Sequence, residues 1–200
     1  MSEHYYSRTP TSTHEERTWA YELRGETLTF TTDRGVFSRG EVDYGSRFLI
    51  ESFLYPDVHG GILDVGCGYG PIGLALAKQD EGRQVHMVDV NERAVELCER
   101  NRKQNQVKNA KVYVSDGLEG VEKHDFAAIV TNPPIRAGKK VVHRLLEQAY
   151  DHLTTNGQVW VVIQKKQGAP SAKEKLRQCF GNVETVAKDK GYYLLCAEKV

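Results

Sequence analysis

Charge bias, clustered cysteines and long apolar runs are all missing from this chain of 200 residues. Lysine plus arginine equal aspartate plus glutamate at 27 each. Bulk charge therefore neither demands nor excludes a nucleic acid, and any surface for one has to be local. Cys67, Cys98, Cys179 and Cys196 are widely separated. That excludes the close pairs of a zinc site or a redox motif, and it predicts reduced, partly buried thiols with no metal. The N-terminus is polar, without a stretch of signal-peptide length, and no run approaches the roughly 20 apolar residues that span a bilayer. These absences predict a cytoplasmic protein without membrane association. No segment repeats, and the length fits one domain with a small extension.

What is present is ordered alternation. Residues 1 to about 16 are rich in Ser, Thr, His and charge and read as a frayed or partner-ordered arm. Trp19–Leu23 and Thr27–Thr31 alternate around Arg24-Gly25-Glu26 as a hairpin. Phe48, Leu49, Ser52 and Phe53 share a helical face, with Pro56 as the expected stop. From Gly61 onward, strands and helices alternate: strands at Ile62–Val65, Val85–Asp89, Lys111–Val114, Ala127–Val130 and Gln158–Ile163. Helices fall between them, one N-capped by Asn91 with Ala94, Val95, Leu97 and Cys98 inward, others at Lys140–Leu153 and Ser171–Phe180. Val183–Ala187 and Tyr192–Ala197 close the chain as a β-hairpin. The expectation is a doubly wound, mostly parallel seven-stranded α/β sheet with an antiparallel end. Residues 1–42 would be an arm with a short β extension, and 43–200 the main domain.

Two motifs carry chemistry. Asp64-Val65-Gly66-Cys67-Gly68-Tyr69-Gly70 follows a strand and precedes a helix opening at Pro71. Its glycines allow close backbone approach to a ligand, and the free amides of a helix start favour an anionic group. Gly68-x-Gly70-x-x-Gly73 would by itself also suit a dinucleotide, so the glycines do not choose the cofactor. Asp89, about 20 residues on, is an acid placed for ribose hydroxyls in either case. Asn132-Pro133-Pro134-Ile135 follows the most apolar strand and offers hydrogen-bond acceptors with few donors. Together the motifs suggest a methyl donor facing an amino group.

On these residues the chain from about Asp43 to Val200 resembles class I S-adenosylmethionine-dependent methyltransferases. Within that class it is similar to the bacterial small-subunit (16S) ribosomal RNA guanine-N2 methyltransferases, the RsmC-like family. The resemblance rests on Val36-Phe37-Ser38-Arg39, Asp43-Tyr44-Gly45-Ser46, Asp64 to Gly70, Val88-Asp89-Val90-Asn91 with Ala94, Ser115-Asp116, and Thr131-Asn132-Pro133-Pro134. It implies S-adenosyl-L-methionine as cofactor, held by Asp64, Gly66, Cys67, Gly68 and Gly70 at its methionine end. Asp89 and Val90 would take the ribose, Ser115 and Asp116 the adenine, and Asn132, also against the cofactor, would be catalytic with Pro133 and Pro134. The implied partner is ribosomal RNA or the small ribosomal subunit.

The chemistry of a base amine fits the second motif. Its lone pair is delocalised into the ring, so a site must hold both N–H bonds and aim the lone pair at the methyl group. The Asn132 side-chain oxygen and the Pro133 carbonyl can each accept one N–H, the prolines supply no competing donor, and Pro134 keeps Pro133 extended. Many such sites place an aromatic next. Here it is Ile135, so stacking has to come from elsewhere, with Phe37 and Tyr44 as candidates. Family members often carry a second, degenerate copy of the domain, whereas this chain has room for only one copy. Arg39, Arg136, Lys139, Lys140, His143 and Arg144, with Lys165, Lys166, Lys173, Lys175 and Arg177 farther on, offer an RNA surface. A protein glutamine amide poses the same lone-pair problem, and a non-catalytic cofactor- and RNA-binding module is the reading from another class.

Overall fold

The computed structural model of the protein describes residues 15–34 and 40–200. Val36, Phe37, Ser38 and Arg39, and the arm up to residue 14, lie outside the described residues.

The chain opens with β1 (Arg17–Leu23) and β2 (Glu26–Thr32), paired antiparallel with Trp19 opposite Phe30. Their two-residue turn holds Arg24 at φ 52° and Gly25 at φ 79°, the backbone that matches strand twist in tight hairpins. Helix α1 (Tyr44–Ser52) starts at Asp43, whose carboxylate accepts from the Ser46 amide at 3.0 Å. It ends at Ser52 and not near Pro56. Arg24 Nη1 donates to the carbonyls of Ile50 at 2.7 Å and Phe53 at 2.9 Å. Those bonds satisfy the helix end from outside and let Phe53 turn extended, bury fully and pack on Trp160.

The main body follows as β3 (Ile62–Val65), α2 (Pro71–Gln79), β4 (Val85–Asp89), α3 (Glu92–Gln104), β5 (Ala110–Val114), β6 (Phe126–Thr131), α4 (Lys139–His152), β7 (Leu153–Gln164), α5 (Ala169–Phe180), β8 (Glu184–Asp189) and β9 (Tyr192–Glu198). The strands form one seven-stranded sheet in the order β5-β4-β3-β6-β7-β9-β8. Its first five members are parallel, while β9 runs antiparallel to both β7 and β8. This is the doubly wound class I methyltransferase sheet with its antiparallel end, and the N-terminal hairpin stands beside it as its own two-stranded sheet. Chain direction across the sheet reverses between β3 and β6. Ligand crevices of open α/β sheets lie outside the strand ends at such a switch.

Side-chain alternation explains why the central strands are apolar throughout. Ile62, Ala128, Val130, Trp160 and Val162 face the side covered by α1, α2 and α3. Leu63, Ile129, Val159, Val161 and Ile163 face α4 and α5. The hairpin joins the first of these cores through Leu23, Leu28 and Phe30, all fully buried. Its exposed edge is taken by α3. Asn101 and Asn105, one turn apart, each accept from and donate to the backbone of Thr31 and Thr29 at 2.8–3.0 Å. On the inner face of α3, Ala94, Leu97 and Cys98 are buried as expected, Val95 is half-buried, and Asn101 is buried as well.

Candidate active site

The sharp turn after β3 is made by Gly66, Gly68 and Gly70, all at positive φ. A β-carbon on Gly70 would stand 2.8 Å from the Cys98 sulfur, so the loop lies directly on α3. Asp64 sits beneath it, fully buried. One carboxylate oxygen accepts from the Gly73 amide at 2.9 Å, and the other has no hydrogen-bond partner. Burial pushes the Asp64 carboxyl up to about 7, with the Gly73 amide opposing and the neighbouring Asp89 adding to the rise. Asp89, at the end of β4, accepts from the Gly68 amide and from the Asn91 amide, each at 2.9 Å. Its pKa is raised by burial, and the amides of Asn91, Gly68 and Val90 pull it back. The glycine loop is thus pinned to the end of the adjoining strand.

The second motif leaves β6 at Thr131, whose hydroxyl donates to the Val65 carbonyl at 2.9 Å. Asn132 Nδ2 donates to Asp43 Oδ2 at 3.0 Å and to Ser46 Oγ at 3.1 Å. Those two acceptors decide which end of the amide is nitrogen. Oδ1 then remains as the acceptor. Such closeness of α1 to the loop needs Gly45, where a β-carbon would meet Tyr192 at 2.9 Å and Asn132 Nδ2 at 3.2 Å. Pro133 is buried, and the chain then passes through a 3-10 turn, Ile135–Ala137, into α4.

A cavity of about 800 Å³ joins the two motifs. Gly66, Cys67, Gly68, Asp89, Val90, Ser115 and Asp116 line one part of it, and Asn132, Pro133, Pro134, Ile135, Arg136 and Lys140 another. Asp64 and Gly70 lie outside its lining, in the layer that supports the loop. Tyr44 and Lys139 are also outside it. Tyr44 sits behind Tyr192, ring centroids 5.4 Å apart. Phe37 and Arg39 fall outside the described residues. Asp116 is paired with Arg144 Nη2 at 2.7 Å, and the same guanidinium reaches Glu119 at 3.1 Å. The Ser115 hydroxyl donates to the Gly117 carbonyl and accepts from the Gly120 amide, which fixes the turn beneath Asp116.

Several cavity residues carry no sequence signal that singles them out. Tyr192 lines the cavity from the start of β9, its hydroxyl accepting from Gln164 Nε2 at 2.7 Å. Asp43 and Ser46 line it too; they belong to the run Asp43-Tyr44-Gly45-Ser46 that carries the resemblance, but nothing in the sequence shows that they hold Asn132. Among the basic residues, Arg136, Lys140 and Arg144 reach the cavity. On α5, Lys173 donates to Thr185 Oγ1, Lys175 pairs with Glu147 and Arg177 with Glu174. Among the described residues no cluster of His, Cys, Asp and Glu could hold a metal ion, and no helix is long and apolar enough to cross a membrane. All four cysteines are free thiols.

The geometry has clear relatives. Residues 27–196 match the sequence model of the methyltransferase small domain. The uncharacterized protein YbxB of Bacillus subtilis is 58% identical over the whole of both chains. Ribosomal RNA small subunit methyltransferase C of Vibrio cholerae is 32% identical over 92% of this chain and 53% of its own length. Among solved structures, the T. thermophilus 16S rRNA N2 G1207 methyltransferase (RsmC), in complex with AdoMet and guanosine, superposes with a TM-score of 0.83 at 29% identity. It is matched over 96% of this chain and 52% of that one, so the chain spans about half the length of these ribosomal RNA methyltransferase relatives. A family match over most of the chain, with the sheet order and both motifs in place, makes this protein a member of the methyltransferase small domain family.

Proposed function

We propose that this S-adenosylmethionine-dependent methyltransferase methylates the exocyclic N2 amine of a guanine in small-subunit ribosomal RNA. The observation that carries the reading is the orientation of Asn132. Asp43 and Ser46 hold its nitrogen end, so an oxygen acceptor is what the loop has left to offer an incoming amine.

The residues around the cavity fit the cofactor. The unpartnered buried oxygen of Asp64 suits a cationic group such as the methionine ammonium, through or beside the glycine loop. The Asp89 carboxylate, held by backbone amides at the end of β4, suits ribose hydroxyls, and Asp116, at the rim, suits the adenine amine. The volume accommodates a nucleoside-sized ligand together with a base. When bound, S-adenosylmethionine supplies an electrophilic methyl group on a sulfonium centre.

Asn132 Oδ1 and the Pro133 carbonyl then each accept one N–H of the guanine amine, which aims its lone pair out of the ring plane. The two oxygen dipoles also favour the positive charge that develops on nitrogen. A proton leaves the cationic amine afterwards to solvent, so no strong general base is required. Arg136 and Lys140 supply phosphate contacts, and Ile135 an apolar wall for the base. The cations of Arg136 and Lys140 beside the acceptor loop favour RNA over a protein amide as acceptor.

The test is transfer of labelled methyl from S-adenosylmethionine into ribosomal subunits and total protein from cells lacking the gene, with Asn132→Ala as control. Label in small-subunit RNA that disappears with the variant is the expected result. Label in protein instead would move the assignment to a glutamine amide, and no label in either would leave a binding module without turnover.

A further inference from the structure

The basic side chains of α5 and those of the corner beside Tyr192 differ in what holds them. Those on α5 are engaged by the protein itself: Lys173 with Thr185 at 2.9 Å, Lys175 with Glu147, Arg177 with Glu174 at 2.7 Å. Arg47 and Lys190 are held differently, against an aromatic ring. The Arg47 guanidinium carbon stands 5.2 Å from the Tyr44 centroid and the Lys190 ammonium 4.9 Å from the same ring. Arg47 also donates to the Tyr21 hydroxyl at 2.9 Å. The ring is itself clamped. It stacks on Phe48 with centroids 6.0 Å apart, tilts against Tyr192, and its hydroxyl donates to the Asp189 carboxylate, the acid that also faces this corner.

Cation–π contact fixes long side chains without neutralising them, and so removes part of the rotamer entropy that a later phosphate contact would otherwise cost. Lys165 and Lys166 join the same corner. They are exposed in the 3-10 turn after β7, and the Lys165 amide donates to the Gly191 carbonyl at 2.8 Å, beside Lys190. This corner borders the cavity through Tyr192. Tyr44 and Arg47 belong to α1, on one face of the sheet, whereas Lys140 belongs to α4 on the other face, with Arg136 just before it. Charges therefore flank the cavity from both faces of the sheet.

We propose that Arg47, Lys190 and Lys165 form a phosphate-binding shelf. With Arg136 and Lys140 from the opposite face, it grips a single-stranded RNA backbone on both sides of the nucleotide whose base enters the cavity. The inference rests on the RNA reading of the active site and adds where the strand runs. A base has to leave its stack to reach Asn132, and holding the phosphates on either side of it is what keeps the flipped nucleotide in place.

The experiment is fluorescence anisotropy of a short single-stranded RNA across a salt series, using the full chain, its Arg47→Met/Lys190→Met variant, Lys190→Met alone, and a Lys173→Met/Arg177→Met control. Each phosphate contact in a single strand contributes roughly 0.7 to the slope of log affinity against log salt. The shelf predicts a slope lower by roughly 1.4 for the double variant and about half that for Lys190→Met, which lies in an exposed turn and does not threaten folding. The α5 control keeps the slope of the unaltered chain. An unchanged slope in both shelf variants, an equal fall in the α5 control, or equal affinity for duplex and single-stranded RNA overturns the shelf. Transfer of methyl label to ribosomal RNA, run beside it, keeps the two proposals apart. Label with an unchanged slope sinks the shelf alone, and absence of label in RNA sinks the parent reading.

Discussion

Asp43 Oδ2 accepts from two donors at 3.0 Å, the Ser46 amide and the side-chain nitrogen of Asn132, so the cap of α1 is also the anchor of the loop after β6. A single carboxylate oxygen ties the start of one helix to the motif that faces the acceptor amine.

Replacing both anchors while keeping a helix cap separates these duties. Asp43→Ser retains a capping oxygen but is too short to hold Asn132, and Ser46→Ala removes the second acceptor. The double variant is expected to lose about 10²–10³ in kcat, the range seen when one positioned polar group is lost from a transition state. Binding of S-adenosylhomocysteine by calorimetry should stay near that of the unaltered chain. A parallel fall in cofactor affinity would show that the anchors serve the fold alone.

Asn101 is fully buried and carries three hydrogen bonds to backbone outside α3: Thr31 N–H at 2.8 Å, Thr31 C=O at 3.0 Å and Tyr69 C=O at 2.8 Å. Asn101→Leu leaves those groups without partners, at about 1–3 kcal/mol for each unpaired buried group. Urea unfolding should show a loss of several kcal/mol. Asn105→Leu, at a half-buried position, should lose markedly less, and equal losses would argue against the burial account.

Gly73 has no room for a side chain. A β-carbon there would meet the Met87 side chain at 2.5–2.8 Å. Gly73→Ala is expected to cost about 1–3 kcal/mol through overpacking, and Met87→Val in the same chain should recover part of it. Thermal unfolding of the two variants reads this directly, and no recovery would place the strain in the backbone.

Asp64 gives a pH dependence whose sign follows from burial. Its folded pKa of about 7 lies above the ordinary value of 3.8, so between those two values the native state binds more protons than the unfolded chain. The contribution to stability is therefore full below about pH 4 and is lost as pH rises toward 7, at up to about 1.4 kcal/mol per unit. An ammonium group bound nearby would favour the ionised form, so cofactor binding at pH 6 should release a proton. Calorimetry of S-adenosylhomocysteine binding in buffers of different ionisation enthalpy measures this. Asp64→Asn should abolish the proton release, and its persistence would assign the proton elsewhere.

The central strands of the sheet were legible because parallel strands covered on both faces are largely apolar, and Ile62–Val65 and Val85–Asp89 have the bounds expected from the sequence. The glycine loop, Asp89 and Asn132 were legible because each lies at or just past the end of such a strand. Tyr192 was not, since nothing local distinguishes it from its neighbours in β9; it reaches the cavity only because β9 inserts between β7 and β8. The end of α1 was misplaced by four residues because Arg24, from a different sheet, supplies the terminal bonds.

By itself, the sequence determined the order of strands and helices, the turn chemistry and the residue types offered at the strand ends, all of which depend on local backbone preference and on periodicity. The tertiary structure decided which groups those residues meet. Asp43 reaches Asn132, Asn101 reaches Thr31, and Arg47 and Lys190 share the ring of Tyr44 because packing brings together segments up to 146 residues apart. Hydrogen bonds and cation–π contacts act over a few ångströms, so their partners are set by the packed fold and leave no mark on local sequence pattern.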